Sequence, residues 1–214
     1  AIDITAFPAH YFFPMLYCLR REYSIDTVSV FYTEPLTYIF LQKENNVNYL
    51  PNAEDVSKHL FNSYSNSLGR VDIVGMPGFS GKKLKDENEI EEQNKVLIVI
   101  LGFEGEVSKR VYNEISPDIV VTISGFPSYL PKFKDISLVN NKDIIQATTK
   151  NNRYFTPADN PFETYNTLSK IYKEFKRNKS KMIIAPLGTK PMALGACKFA
   201  IDYEDVAVVY AKPE

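Results

Sequence analysis

The amino-acid sequence predicts an α/β protein whose mostly parallel sheet is covered by helices on both faces. Short runs rich in β-branched residues alternate with amphipathic stretches, which is typical of parallel strands joined by helical crossovers. Several runs are continuously apolar, as expected for strands that are buried on both sides. Glycine comes within three residues of the end of four of these runs, where a strand would turn towards a helix. Together these features indicate a Rossmann-like fold.

The predicted strands are short, apolar and rich in valine and isoleucine. They are Ile2–Thr5, Thr27–Tyr32, Val71–Val74, Val96–Leu101, Asp118–Ile123, Lys181–Ala185 and Val206–Tyr210. Residues Leu36–Leu50 are aromatic and β-prone, so we expect an extra hairpin there. Residues Lys82–Asn94 are dense in charge and without apolar periodicity, which predicts a solvated loop or a surface helix.

Four further stretches place apolar residues three or four positions apart, as helices do. They are Pro8–Tyr23, Gly105–Ile115, Pro161–Arg177 and Lys190–Ile201. Pro14 should kink the first helix or mark its true start. Asn160 or Asp159 can cap the third helix, whose apolar face is predicted to include Phe162.

Length and charge restrict the classes of function. The chain has 214 residues, a net charge of −1 and a pI of about 6.2. We expect a single domain, 1–214, with no direct nucleic-acid binding and no membrane association. Because the chain begins at Ala1 and enters a strand-like run directly, we expect a fragment that lacks an N-terminal segment.

The cysteines and histidines predict neither a disulfide framework nor a metal site. Cys18 and Cys197 lie in apolar stretches and are expected to be buried hydrophobic residues, which favours a reducing, cytoplasmic setting. His10 and His59 are the only histidines, and neither has a second histidine nearby. The sequence predicts no cofactor.

The predicted strand ends point to a ligand site. In an open α/β sheet the carboxyl ends of parallel strands share one edge, where ligands bind. Glycine lets a ligand approach the backbone closely, although glycine is also a usual turn former. The candidate ligand-binding residues at these ends are Gly78, Gly102, Phe103, Gly105, Gly125 and Phe126.

The strongest candidate is the turn Gly188-Thr189-Lys190, which precedes a predicted helix. The free N–H groups of a first helical turn, the helix dipole and the Lys190 ammonium all favour a bound anion such as phosphate. The alternative is an ordinary helix capped by Thr189 with an exposed lysine.

Three carboxylates are candidate polar contacts. Glu104 could interact with the helix dipole, could contact ribose hydroxyls or a base amine, or could act as a general base if its pKa were raised. Glu34 is a candidate ligand contact, and Asp159 is a second candidate base. Both also suit an ordinary turn or cap.

The segment Met182-Ile183-Ile184-Ala185-Pro186-Leu187-Gly188-Thr189-Lys190-Pro191-Met192-Ala193-Leu194 resembles the late strand–loop–helix motif of CARF domains, the CRISPR-associated Rossmann-fold sensors. Pro186-Leu187 stands where that family typically has a second glycine. The resemblance implies a homodimer that binds a cyclic oligoadenylate, with Gly188, Thr189 and Lys190 contacting phosphate or ribose.

Three hypotheses follow. The first is a regulatory or sensor domain that binds a nucleotide or another small phosphate-bearing ligand, as a homodimer or beside an effector domain. The second is an enzyme that acts on a nucleotide or sugar phosphate with Glu104 or Asp159 as its base. The third is a protein-interaction domain without a small ligand, in which the glycine turns are purely architectural.

Overall fold

The computed structural model describes residues 1–34, 71–81, 94–176 and 180–213. The strands are β1 (Ile2–Asp3), β2 (Val30–Phe31), β3 (Val71–Ser80), β4 (Lys95–Leu101), β5 (Ile119–Gly125), β6 (Arg153–Thr156), β7 (Lys181–Pro186) and β8 (Ala207–Pro213). The helices are α1 (Ala9–Arg21), α2 (Gly105–Ile115), α3 (Pro131–Asn140), α4 (Lys142–Ala147), α5 (Pro161–Lys176) and α6 (Lys190–Asp202), and a 3-10 turn covers Lys150–Asn152.

The described part of the chain builds a six-stranded sheet with the order β3-β8-β7-β4-β5-β6. All neighbouring strands are parallel except β3 and β8, which are antiparallel. The short strands β1 and β2 pair with each other, in parallel, as a separate two-stranded sheet. The predicted mostly parallel sheet is therefore confirmed.

The alternation of side chains along β4 shows how the sheet is covered on both faces. Val96, Ile98 and Ile100 pack into a core with residues of α1, α5 and α6. The residues between them, including Leu97 and Val99, pack into a second core with residues of α2 and α4. Such an apolar strand is stable only between two layers of helices, and this confirms the Rossmann-like α/β architecture.

Local sequence signals set the helix starts. The carboxamide oxygen of Asn160 accepts the backbone N–H groups of Phe162 at 3.0 Å and Glu163 at 3.2 Å, so the predicted cap of α5 is confirmed. Helix α2 begins and ends at the predicted residues. Helix α1 begins at Ala9 and runs through Pro14, so Pro14 does not mark its start.

Strand β3 corrects the prediction for Gly78. Strand β3 does not end at Val74 but continues to Ser80, with a register irregularity after Gly75. Because β3 is antiparallel to β8, its carboxyl end lies opposite the start of β8 and not beside the carboxyl ends of the parallel strands. Gly78 has a φ of +87° and lies against the Tyr17 ring, away from the predicted ligand edge.

Some elements differ from the sequence-based predictions. Strands β1 and β2 are shorter than expected, and α3, α4 and β6 were not predicted. Phe162 is 77% exposed, so it does not belong to the buried face of α5. The predicted hairpin Leu36–Leu50 and nearly all of Lys82–Asn94 lie outside the described residues.

Candidate ligand-binding site

The sheet has its switch point between the neighbouring strands β4 and β7. The chain leaves β4 towards β5 through α2, and it leaves β7 towards β8 through α6. Because α2 and α6 pack on opposite faces of the sheet, the two loops diverge and leave a crevice between them. Open α/β sheets bind their ligands in such a crevice.

A cavity of about 530 Å³ occupies this crevice. The N-terminal segment, the loops after β4, β5 and β7, and α3 provide most of its wall. The lining residues are Pro8, Ala9, His10, Phe12, Glu34, Leu101, Gly102, Phe103, Glu104, Gly125, Ser128, Tyr129, Phe133, Ser137, Ala158, Pro186, Leu187, Gly188, Thr189, Lys190, Met192, Ala193, Tyr210 and Ala211. Ligand pockets for small molecules typically measure about 300–1,000 Å³ and are mainly apolar with a few polar groups, as this one is.

Two glycines let the loops at the switch point approach each other. A Cβ atom on Gly102 would lie 2.0 Å from the carbonyl oxygen of Leu187, which is backbone and cannot move aside easily. A Cβ on Gly188 would lie 2.7 Å from Cγ2 of Ile100. The packing of the loops therefore requires glycine at both positions, whether or not these residues also contact a ligand.

A buried polar network holds the loop after β4 in place. Asn141 is 1% exposed, and its Nδ2 donates to the carbonyl oxygens of Gly102 and Ser137, both at 2.8 Å. The Ser137 hydroxyl also donates to the Gly102 carbonyl, at 2.8 Å. Ser108 Oγ donates to Oδ1 of Asn141 at 2.6 Å. No motif in the sequence marks this network, because its members become neighbours only in the fold.

Lys190 lies in the cavity wall, but its ammonium group is already engaged. Nζ donates to the carbonyl oxygen of Ile4 at 3.0 Å and to that of Thr5, which follow β1. Burial lowers the pKa of Lys190, and the nearby carboxylates of Asp3 and Glu34 oppose that shift. Lys190 is therefore partly buried and joins α6 to the N-terminal segment.

Thr189 is the N-cap of α6, as predicted. Its hydroxyl accepts the N–H of Met192 at 3.4 Å and donates to the carbonyl oxygen of Ala158. Pro191, the second residue of the helix, has no N–H to offer. The first turn of α6 therefore presents fewer free donors to an anion than a typical helix start does.

The two lining carboxylates come from different parts of the chain. Glu104 is exposed at the N-cap position of α2, where its charge can interact with the helix dipole, and its side chain makes no capping hydrogen bond. The carboxylate of Glu34 accepts a hydrogen bond from the Tyr32 hydroxyl. Burial, followed by the charges of Glu34 and Asp159, raises the pKa of Tyr129 to about 12, so its hydroxyl stays protonated at neutral pH.

The cavity brings together eight of the twelve residues predicted for the site. They are Glu34, Gly102, Phe103, Glu104, Gly125, Gly188, Thr189 and Lys190. Besides Gly78, three other predicted residues lie outside the lining. Gly105 faces α3, where a Cβ would lie 1.8 Å from the Asn140 carbonyl oxygen. Phe126 is half exposed against Phe155 and Lys134, and Asp159 is exposed beside Ala158.

The N-terminal segment, the loop after β5 and α3 contribute lining residues that were not predicted from the sequence. Among them are Pro8, Ser128, Tyr129 and Ser137. Ser128 and Tyr129 lie three and four positions after the predicted glycine turn at Gly125, which is the signal that the chain offers for them. Pro8 and Ser137 do not lie beside a predicted glycine turn.

Neither a metal centre nor a membrane span is found among the described residues. In that part of the chain, no group of three or more histidines, cysteines or carboxylates is placed to hold a metal ion. Every described helix is too short or too polar to cross a lipid bilayer. Comparison of the chain with protein-family models and with curated proteins found no matching family and no matching relative.

Proposed function

We propose that this chain is a regulatory or sensor domain that binds a small phosphate-bearing ligand, such as a nucleotide or a sugar phosphate, in the cavity at the switch point. The observation that carries the proposal is the position of this cavity, whose wall includes Glu104 at the N-cap of α2 and Thr189 and Lys190 at the start of α6. Ligands of open α/β sheets bind at this edge.

The charges of the site support one anionic group on the ligand. A helix N-terminus carries roughly half a positive charge, so the start of α6 beside Lys190 favours an anion, whereas the Glu104 carboxylate occupies the start of α2. Lys190 has three N–H donors, and the described contacts use two of them, on Ile4 and Thr5. One donor is thus available to a phosphate without loss of the bonds to the N-terminal segment.

Aromatic residues on the cavity wall support a ligand that also has an apolar or flat part. Phe103 and Phe133 line the cavity and pack edge to face, with their ring centroids 5.3 Å apart. Phe12 and Tyr129 add further aromatic surface. A base or a sugar face can pack against such a wall. A homodimer or an effector domain, as the likeness to CARF domains implies, would then transmit the binding event.

Glu104 keeps an enzymatic alternative open to experiment. It lines the cavity, whereas Asp159 does not, so the enzyme hypothesis now depends on Glu104 as the base. Incubation with a bound ligand separates the two functions. Recovery of the ligand unchanged supports a sensor, while turnover that Glu104→Gln abolishes without loss of binding supports an enzyme.

A thermal-shift screen with mono-, di- and cyclic nucleotides and sugar phosphates, followed by titration calorimetry, tests the proposal. A ligand at about a hundred times its Kd adds roughly 2.7 kcal/mol of stability. We expect Lys190→Gln to weaken binding about tenfold, since it removes a charge-assisted contact. A Lys190→Gln protein that binds as tightly as the parent would contradict the proposed site.

The matched control for this experiment is Lys198→Gln. Lys198 lies on the same helix, is 60% exposed and pairs with Asp202, away from the cavity. Lys190→Gln also removes two hydrogen bonds to the N-terminal segment, so the melting temperature of the unliganded variant will fall. Calorimetric affinities, and not melting temperatures alone, must therefore be compared. Binding of none of the compounds would favour the interaction-domain hypothesis.

A further inference from the structure

Three hydroxyl groups in the cavity wall, those of Ser128, Ser137 and Thr189, already donate their protons to backbone carbonyl oxygens. Ser137 donates to the carbonyl oxygen of Gly102 at 2.8 Å, and Ser128 donates to that of Leu130 at 2.7 Å. Thr189 donates to the carbonyl oxygen of Ala158. Because a hydroxyl has one proton and two lone pairs, these three side chains offer a ligand acceptors only.

The charged groups of the wall add to this bias. Two carboxylates, Glu34 and Glu104, face one ammonium group, that of Lys190, among the described lining residues. Two of the three N–H groups of the Lys190 ammonium donate to the carbonyl oxygens of Ile4 and Thr5. Three other lining side chains, His10, Tyr129 and Tyr210, can each donate one hydrogen bond.

Such a wall discriminates between ligands. A second or third phosphate would meet carboxylates at close range, which opposes binding. Ligand hydroxyl groups, in contrast, would bring the protons that the carboxylates and the serine and threonine oxygens can accept. Hydrogen bonds to charged acceptors are among the strong ones. A ligand that lacks such a hydroxyl leaves a desolvated acceptor unpaired, which is costly.

We propose that the cavity selects a monophosphate ester of a polyhydroxylated compound, with free vicinal hydroxyls directed at the carboxylates and hydroxyl oxygens of its wall. This inference depends on the proposed function, because it names the class of ligand for the same site. The ligand places its single phosphate near Lys190 at the start of α6, and its hydroxyl-bearing part reaches Glu104, at the N-cap of α2, and Ser137 beside the loop after β4.

The test uses pairs of probes that differ in one group. Ribose 5-phosphate is compared with 2-deoxyribose 5-phosphate, and adenosine monophosphate with its 2′-deoxy form, by titration calorimetry. We expect the hydroxylated member of at least one pair to bind roughly tenfold tighter or more, the loss typical of one hydrogen bond to a charged group. Adenosine triphosphate and pyrophosphate should bind more weakly than the monophosphate.

Two variants test whether the cavity wall is the source of the ligand preference. Glu104→Gln should reduce the preference for the 2′-hydroxyl and should improve triphosphate binding, since it removes a negative charge. Glu114→Gln is the matched control, because Glu114 is exposed on the same helix and does not line the cavity. The ratio of two affinities measured on one variant is unaffected by a loss of stability common to both titrations.

The possible outcomes distinguish a failure of this inference from a failure of the proposed function on which it depends. Equal affinity for hydroxylated and deoxy probes, or tighter binding of the triphosphate than of the monophosphate, would overturn the inference and leave the phosphate site standing. Failure of all these probes to bind would overturn the inference, and the proposed function would fall as well only if the dinucleotides and cyclic nucleotides of the wider screen also failed to bind. A preference for the 2′-hydroxyl that Glu104→Gln reduces and Glu114→Gln leaves intact is the result we expect.

Discussion

Truncation of Asn141 should be among the most destabilising single changes near the site. Its side chain makes three hydrogen bonds, two as a donor to the carbonyls of Gly102 and Ser137 and one as an acceptor from Ser108. With about 1 kcal/mol for each net hydrogen bond, Asn141→Ala should cost about 3 kcal/mol. For a chain of this length the melting temperature should fall by roughly 6–12 °C.

The hydrogen bonds also predict how much stability related variants should lose relative to one another. Ser137→Ala should cost about 1 kcal/mol, because the Gly102 carbonyl keeps its bond from Asn141. Asn113→Ala, an exposed position on α2, serves as the control and should lie within about 0.5 kcal/mol of the parent. Urea unfolding monitored by far-UV circular dichroism gives the free energies. A loss below about 1 kcal/mol for Asn141→Ala would refute the inference that this network holds the loop.

Three other predictions concern the close approach of the loops, the buried thiol of Cys197 and the partly buried Tyr165. Gly102→Ala should destabilise the fold by about 1–3 kcal/mol in urea unfolding, because its Cβ meets the Leu187 carbonyl. Gly75→Ala has open space and should change little, so equal losses for the two would argue against the clash. Burial raises the pKa of the Cys197 thiol. In a Cys18→Ser background, iodoacetamide should therefore label Cys197 only after the protein is unfolded. Rapid labelling of the native protein would contradict the burial of Cys197. Burial, followed by Asp202, raises the pKa of Tyr165 to about 12. The folded state therefore holds its proton more tightly, and stability should fall as the pH rises from 10 to 12. Urea unfolding at each pH gives the free energy of unfolding, which should fall less steeply with pH in Tyr165→Phe than in the parent. An equal slope in the two proteins would contradict the raised pKa of Tyr165.

The parts of the fold that the sequence predicts are those governed by local pattern. Strand β4 is a continuous apolar run, and α2 has an amphipathic period that ends at Ile115, so both were located closely. The caps of α5 and α6 are also local, since Asn160 and Thr189 act on N–H groups two or three residues ahead.

The errors concern relations between distant parts of the chain. Nothing within residues 71–81 tells whether β3 runs parallel or antiparallel to its neighbour, and that direction alone removes Gly78 from the ligand edge. Helix α3 has weak periodicity and contributes Ser137 and its C-cap residue Asn141 to the buried network, so its role appears only after packing. The site was predicted in outline because strand ends converge by a general rule of α/β sheets.

The contact of Lys190 with the residues after β1 also has a consequence for the order of folding. It joins positions that are 186 and 185 residues apart in the chain. Closing so long a loop is entropically unfavourable until the intervening sheet has formed. The wall supplied by Pro8 and its neighbours can be held in place only once α6 has been made and packed. A nascent or truncated chain that ends before α6 would keep the helix-covered strands β4 and β5 but would have no complete cavity.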